Sequence, residues 1–179
     1  MQLQEIKMPI DDNEKSWLVA HVRLFHEKKC VERLQKLNIE TYLPIRSELH
    51  YWKDRKKKVD RVLTPQMVFV HVTTGERITV LEDRSVTHFY AFPGSGKATV
   101  VPDSQMKSFM FLVGNADSEV EFTSESLKKG DKVKVLRGPL ANLEAEYVRV
   151  GNKSKVAIRV NDLGCALVEI PLTWIEKLD

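Results

Sequence analysis

From Gly130 almost to its end, the chain keeps an apolar/polar period of two. Gly130-Asp131 is a turn signal, and in Lys132-Val133-Lys134-Val135-Leu136-Arg137 the valines alternate with cations, as a half-buried strand requires. Gly138-Pro139 stops that strand with a turn. Four further apolar or β-branched runs follow, at Ala145 to Val150, Lys155 to Val160, Cys165 to Ile170 and Thr173 to Leu178. The turns between them carry Gly151-Asn152, Asp162-Leu163-Gly164 and Pro171. Five short strands in about fifty residues are too few for a sandwich and suit a small closed barrel, which leaves no exposed edge. The β-branched residues and the glycines inside each candidate span also disfavour a helical alternative. A permanent five-stranded barrel over residues 127–179 is the expectation.

The preceding part reads differently. Trp17 to Arg23 is a buried strand, and His26 to Asn38 a helix with an apolar stripe at Val31, Leu34 and Leu37. Thr41 to Pro44 and Arg46 to Trp52 read as strands. Lys53-Asp54-Arg55-Lys56-Lys57-Lys58 is a charged hairpin tip before the strand Val59 to Leu63. Gln66 to Val72, the most apolar run of this half, is expected in the centre of a sheet. A short helix between Gly75 and Arg84, a strand from Val86 to Phe92 and a Pro93-Gly94-Ser95-Gly96 turn come next. Asp103 is the expected N-cap of a helix carrying Met106, Phe109, Met110 and Val113. This order specifies an α+β layer, with helices packed on a mostly antiparallel sheet. The domain reading is 15–113, then a flexible linker over 114–126 rich in Glu, Ser and Asp, then 127–179.

Among 179 residues, 42% are hydrophobic and 30% charged, the balance of a globular protein. The formal net charge is +3, but its distribution is uneven. Through Val113 there are 18 Lys and Arg against 14 Asp and Glu; beyond it, 10 against 11. The basic excess lies in the first part, which bears on polyanionic partners. Cys30 and Cys165 have no metal-ligand spacing, and no apolar run approaches the twenty or so residues of a membrane span. The expected setting is a reduced cytoplasm, with no membrane partner.

No catalytic set is legible. Gly94-Ser95-Gly96-Lys97 invites comparison with a phosphate loop, yet Ala91 stands where the first glycine belongs and Ala98 replaces the Ser or Thr. The five histidines, at 21, 26, 50, 71 and 88, show no zinc spacing, and no nucleophile motif occurs. Neither a cofactor nor an enzyme activity is expected.

Gly130 to Leu143, with Leu163-Gly164 and Ile175-Glu176-Lys177-Leu178, resembles the KOW domain of the NusG family. Its motif residues here are Gly130, Asp131, Val133, Gly138 and Pro139; Ala145 stands where the family usually has glycine. The Trp17 strand, the helix through Val31 and Leu34, Tyr42-Leu43-Pro44, the basic hairpin and Thr64-Pro65-Gln66-Met67-Val68-Phe69-Val70 resemble the family's N-terminal (NGN) domain. In the family the last motif usually reads Phe-Pro-Gly-Tyr where this chain has Thr64-Pro65-Gln66-Met67. Short loops and divergent core motifs resemble specialised RfaH-like and UpxY-like paralogues.

The resemblance implies a transcription elongation and antitermination factor acting on particular long operons. It implies that His21, Met67, Phe69 and Phe92 dock the clamp helices of RNA polymerase. It implies that Arg23, Arg33, Lys36 and Arg84 face the non-template DNA strand. It further implies that the KOW domain takes Rho or a small-subunit ribosomal protein as partner. A KOW-containing RNA-binding or ribosome-associated protein with no polymerase role is the alternative, although a ribosomal protein is usually more basic than +3.

Overall fold

Strand β1 (Ser16–Val22) is apolar on both faces and accordingly lies inside the first sheet. The computed structural model describes residues 13–179. After β1 come α1 (Glu27–Lys36), β2 (Glu40–Tyr42), β3 (Ile45–Trp52), β4 (Arg55–Val62) and β5 (Met67–Val72). Then follow α2 (Glu76–Leu81), β6 (Val86–Phe89), β7 (Val100–Val101) and α3 (Asp103–Asn115). The strand order is β2-β5-β1-β6, antiparallel throughout, with short β7 also on β1. The α+β expectation for this half holds, including the interior place of β5.

The two faces of this sheet bury different partners. Leu18, Ala20 and Val22, with Val68, Val70 and Val72, pack against Cys30 and Leu34 of α1 and Val80 of α2. The stripe of α1 is therefore rotated from the expected one. Cys30 and Leu34 are buried, Val31 flanks them, and Leu37 caps the helix at 56% exposure. A cysteine behaves here as a small apolar residue, and burial pushes its thiol up to about 12. On the opposite face Trp17, Val19 and Phe69 pack beneath α3. That helix starts at Asp103 with Pro102 as N-cap, so the carboxylate sits in the first turn, where the helix dipole favours it.

The C-terminal residues form a second antiparallel sheet. Its strands are β8 (Val120–Thr123), β9 (Asp131–Val135), β10 (Glu144–Val150), β11 (Lys153–Val160), β12 (Gly164–Glu169) and β13 (Ile175–Lys177), in the order β13-β9-β10-β11-β12-β8. Six strands replace the expected five. The additional one, β8, lies in the segment read from sequence as a linker, and the last turn of α3 occupies that segment's start. Val120 is buried and Phe122 half-buried, alternating with exposed Glu119 and Glu121. Two apolar residues among carboxylates are enough for an edge strand once β12 supplies the ladder. Three glycines here, Gly130, Gly138 and Gly164, are sterically required. A Cβ at Gly130 would overlap the Tyr147 carbonyl, and one at Gly138, where φ is +79°, would overlap the Trp174 ring.

Helix α3 joins the halves. Phe109 touches Phe69 at 5.5 Å and Tyr42 at 5.8 Å in the first sheet, and Phe122 of β8 at 5.9 Å between ring centroids. Asn161 donates from its side chain to the Val100 carbonyl at 2.7 Å, and its backbone N–H donates to Gln105 at 2.6 Å. Contact on two sides explains why Leu112 is buried beside Met106, Phe109 and Val113, a wider apolar arc than a one-sided helix needs. Phe109→Ala is expected to lower the unfolding free energy by about 3–5 kcal/mol in urea titration. Leu37→Ala, at an exposed cap, should stay within about 0.5 kcal/mol of the parent.

Candidate partner-binding and nucleic-acid surfaces

An aromatic and apolar strip lies on the α3 face of the first sheet, at the C-terminal end of β1. His21 is paired with Met67 on β5 and with His88 on β6, which brings all three side chains to the same face. The His21 and His88 rings stack at 4.7 Å, and Tyr90 closes the group at 5.5 Å from His21 and 6.0 Å from His88. Thr87 lies 2.7 Å from His21 Nδ1 and donates to the His21 carbonyl at 3.2 Å. Partial burial, and then the facing His88, lower the pKa of His21 from its ordinary 6.5. Both causes favour the neutral form of His21.

The four residues assigned to one docking surface divide in two. His21 and Met67 share the strip, and Phe92 is 54% exposed on the turn that follows Tyr90. Phe69 is fully buried beneath Phe109, so it supports this face from inside and offers no surface. The period-two register puts Phe69 and Met67 on the same face; only the position of α3 separates covered from open. His88 and Tyr90 were not singled out in the sequence. Their signal was the alternation Val86-Thr87-His88-Phe89-Tyr90, which is legible only once β6 is paired to β1.

The cations divide similarly. Arg23, Lys36 and Arg84 are exposed, and Arg23 and Arg84 flank the contact in which the Arg23 N–H donates to the Ser85 carbonyl at 2.9 Å. Beside Arg23 stands Phe25, 85% exposed at φ +63°, a left-handed conformation uncommon for an aromatic residue. Arg33 is instead committed to structure. Its Nε donates to Asp83 Oδ2 at 2.6 Å, and its Nη2 donates to Asp83 Oδ1 and Ser85 Oγ, each at 2.7 Å. This fork is a bidentate Arg–carboxylate pair, and it fixes the α2–β6 turn against α1.

Among the described residues no group of three or more His, Cys, Asp or Glu is arranged to hold a metal ion, and no helix is long and apolar enough to cross a membrane. Both cysteines are buried and unpaired.

The Arg33 fork makes a pH prediction. Arg33 holds the Asp83 carboxyl below its ordinary 3.8. A depressed carboxylate contributes stability in full above its unfolded value, and that contribution disappears as pH falls through the folded value. Arg33→Ala should cost about 2 kcal/mol at pH 7. The difference from the parent should shrink below about pH 4 in denaturation curves taken across the acid range.

The family model described as transcription termination factor nusG matches residues 15–110, more than half of the 179 residues. No curated protein matches at a significant level. Among solved structures the chain is similar to one of domain interaction in Thermotoga maritima NusG. That match has 20% identity over 94% of this chain and 99% of that one, with a TM-score of 0.53. The MjSpt4:Spt5 complex, conformation B, aligns at 15% identity over 90% and 96% of the two chains, with a TM-score of only 0.27. The shared fold agrees with the family match, and this chain belongs to the NusG family of transcription factors, whose NGN domain its first half forms.

Proposed function

We propose that this chain is a transcription elongation and antitermination factor that docks on the clamp helices of RNA polymerase through the strip of His21, Met67 and Tyr90. The observation that carries the reading is the open strip itself. Strand residues of the same face are covered by α3 further along, while here a partly aromatic patch is left half-exposed. A partly apolar, half-exposed sheet face suits the apolar side of an amphipathic partner helix. Each apolar side chain buried in such a contact contributes roughly 1.5–3 kcal/mol. Phe92 flanks the patch. No bond is made or broken in this mechanism; differential binding shifts polymerase from paused to moving states.

Arg23 and Arg84, with Phe25 two residues beyond Arg23, are the residues of choice for the non-template strand. Two exposed cations beside an exposed ring suit a single strand, where charge supplies affinity and stacking tolerates sequence. Lys36 is a lesser candidate at the far end of α1, and Arg33 serves the pair with Asp83. The C-terminal sheet, read as a KOW-type barrel, is the unit offered to a second partner such as Rho or a small-subunit ribosomal protein. The specialised, RfaH-like role on long operons belongs to the same proposal.

A folded Met67→Asp variant is expected to lose at least about thirtyfold in affinity for core RNA polymerase, the size of a central contact residue. Retention of parental binding by a folded Met67→Asp, Tyr90→Ala double variant would remove the strip from the mechanism. In salt titrations of elongation-complex binding, Arg23→Ala with Arg84→Ala should flatten the slope of log affinity against log salt by about 0.7 per lost phosphate contact. An unaltered slope would reduce the two arginines to a solvated face.

A further inference from the structure

Strands β3 and β4 pair only with each other, over eight residues each. Their root is clamped. Arg46 donates to the Val113 and Ser118 carbonyls at 3.0 and 3.2 Å, Arg61 donates to the Val120 carbonyl at 3.0 Å, and Lys28 of α1 reaches Asp60 at 3.2 Å. Every residue from Leu49 to Asp60 is exposed. An isolated two-stranded hairpin is marginally stable in water, so a long exposed one needs a reason.

The register sorts its side chains into two matching faces. Leu49 and Tyr51 stand opposite Lys58 and Lys56; His50 and Trp52 stand opposite Lys57 and Arg55. Each face thus presents one large ring and two cations. Tyr51 is 71% and Trp52 68% exposed, and Lys56 Nζ lies 5.2 Å from the Tyr51 ring centroid. Of the charges from Lys53 to Lys58, five are positive and only Asp54 is negative. Among the described residues, none of those five cations lies within ion-pair distance of a carboxylate, whereas Arg33, Arg61, Lys153, Lys155 and Arg159 all do. This unpaired set stands beside two strongly exposed rings on one hairpin.

We propose that the β3–β4 hairpin is a sequence-tolerant finger for single-stranded nucleic acid, with bases stacking on Tyr51 and Trp52 and phosphates held by Arg55, Lys56, Lys57 and Lys58. The ligand must supply both repeated negative charge and flat apolar faces, and an unpaired strand supplies the two at one spacing. An acidic peptide offers the charge without the faces. Duplex bases are already stacked and withhold their faces from a side chain. Tyr51, Trp52 and the cations from Arg55 to Lys58 are all exposed, so they offer stacking and charge without reading base identity. The inference is independent of the polymerase reading, since it uses another surface and requires no second protein.

The test uses the full chain alone with fluorescein-labelled dT20, U20 and a 20-base-pair duplex, read by anisotropy. Tyr51→Ala and Trp52→Ala should each weaken single-strand binding by about tenfold. Lys56→Ala, Lys57→Ala and Lys58→Ala together should reduce the salt slope by about 2. Arg23→Ala with Arg84→Ala should leave the ring dependence in place, which separates this site from the proposed non-template-strand contact. A ring-dependent preference for U20 or for dT20 would name RNA or DNA as the source. Trp52 is the most exposed of the three tryptophans, so bound dT20 should quench intrinsic fluorescence. Trp52→Phe should keep binding and lose the quench. Three outcomes overturn the proposal: single-strand affinity unchanged in a Tyr51→Ala, Trp52→Ala variant of parental circular dichroism, duplex binding as tight as single-strand binding, or no quench.

Discussion

The contact of Phe109 with Phe69 on one side and Phe122 on the other is the interaction on which the rest of this molecule depends. It turns α3 from a helix lying on one sheet into a wall shared by two. Each sheet has an apolar face that it cannot bury alone, and α3 covers part of both, so that one core cluster runs from Trp17 through Phe109 to Ile170. The same placement decides what stays open. Where α3 lies, Phe69 is inaccessible; at the end of β1 that it does not cover, His21, Met67, His88 and Tyr90 reach the surface.

Electrostatics follow the same division between holding and offering. Arg33 forks onto Asp83, Arg46 and Arg61 cap carbonyls at the junction of the halves, and Arg159 grips Glu146 at 2.8 Å and the Leu127 carbonyl at 3.1 Å. These guanidiniums act as planar multi-donor clamps, the geometry at which arginine surpasses lysine. Among the cations left outside such clamps, Arg23 lies beside the exposed Phe25, and Arg55 to Lys58 lie on the hairpin that carries the exposed Tyr51 and Trp52. Charge with stackable surface, in two places, is the physical basis for assigning nucleic acid to both.

The six-stranded C-terminal sheet constrains the chain in a further way. Val120 and Phe122 tie the segment after α3 to β12, so the passage from one half to the other is ordered backbone with a ladder of its own. Arg46 and Arg61 add hydrogen bonds from the hairpin root to that passage. Movement of the C-terminal sheet away from α3 would therefore release the hairpin root and the Phe109–Phe122 contact together.

Local periodicity and turn chemistry in the sequence determined the element order, the α+β class of the first half, the interior place of β5, and the strands from β9 to β13. The motif glycines were legible for the same reason, since only glycine fits where Gly130 meets the Tyr147 carbonyl and Gly138 meets Trp174. What the sequence could not decide was which of two equivalent residues is covered. Val31 and Cys30 fit a helix stripe equally well, Phe69 and Met67 share a strand face, and Arg33 and Arg23 are both cations near one helix. Packing of α1, α2 and α3 chose between them, by burying Cys30 and Phe69 and by bringing Asp83 within reach of Arg33. The strand β8 was hidden because two apolar residues among carboxylates have no strand signal until a neighbouring edge pairs with them. Period is a property of adjacent residues; burial and charge pairing belong to partners distant in the chain, and only the tertiary structure supplies those.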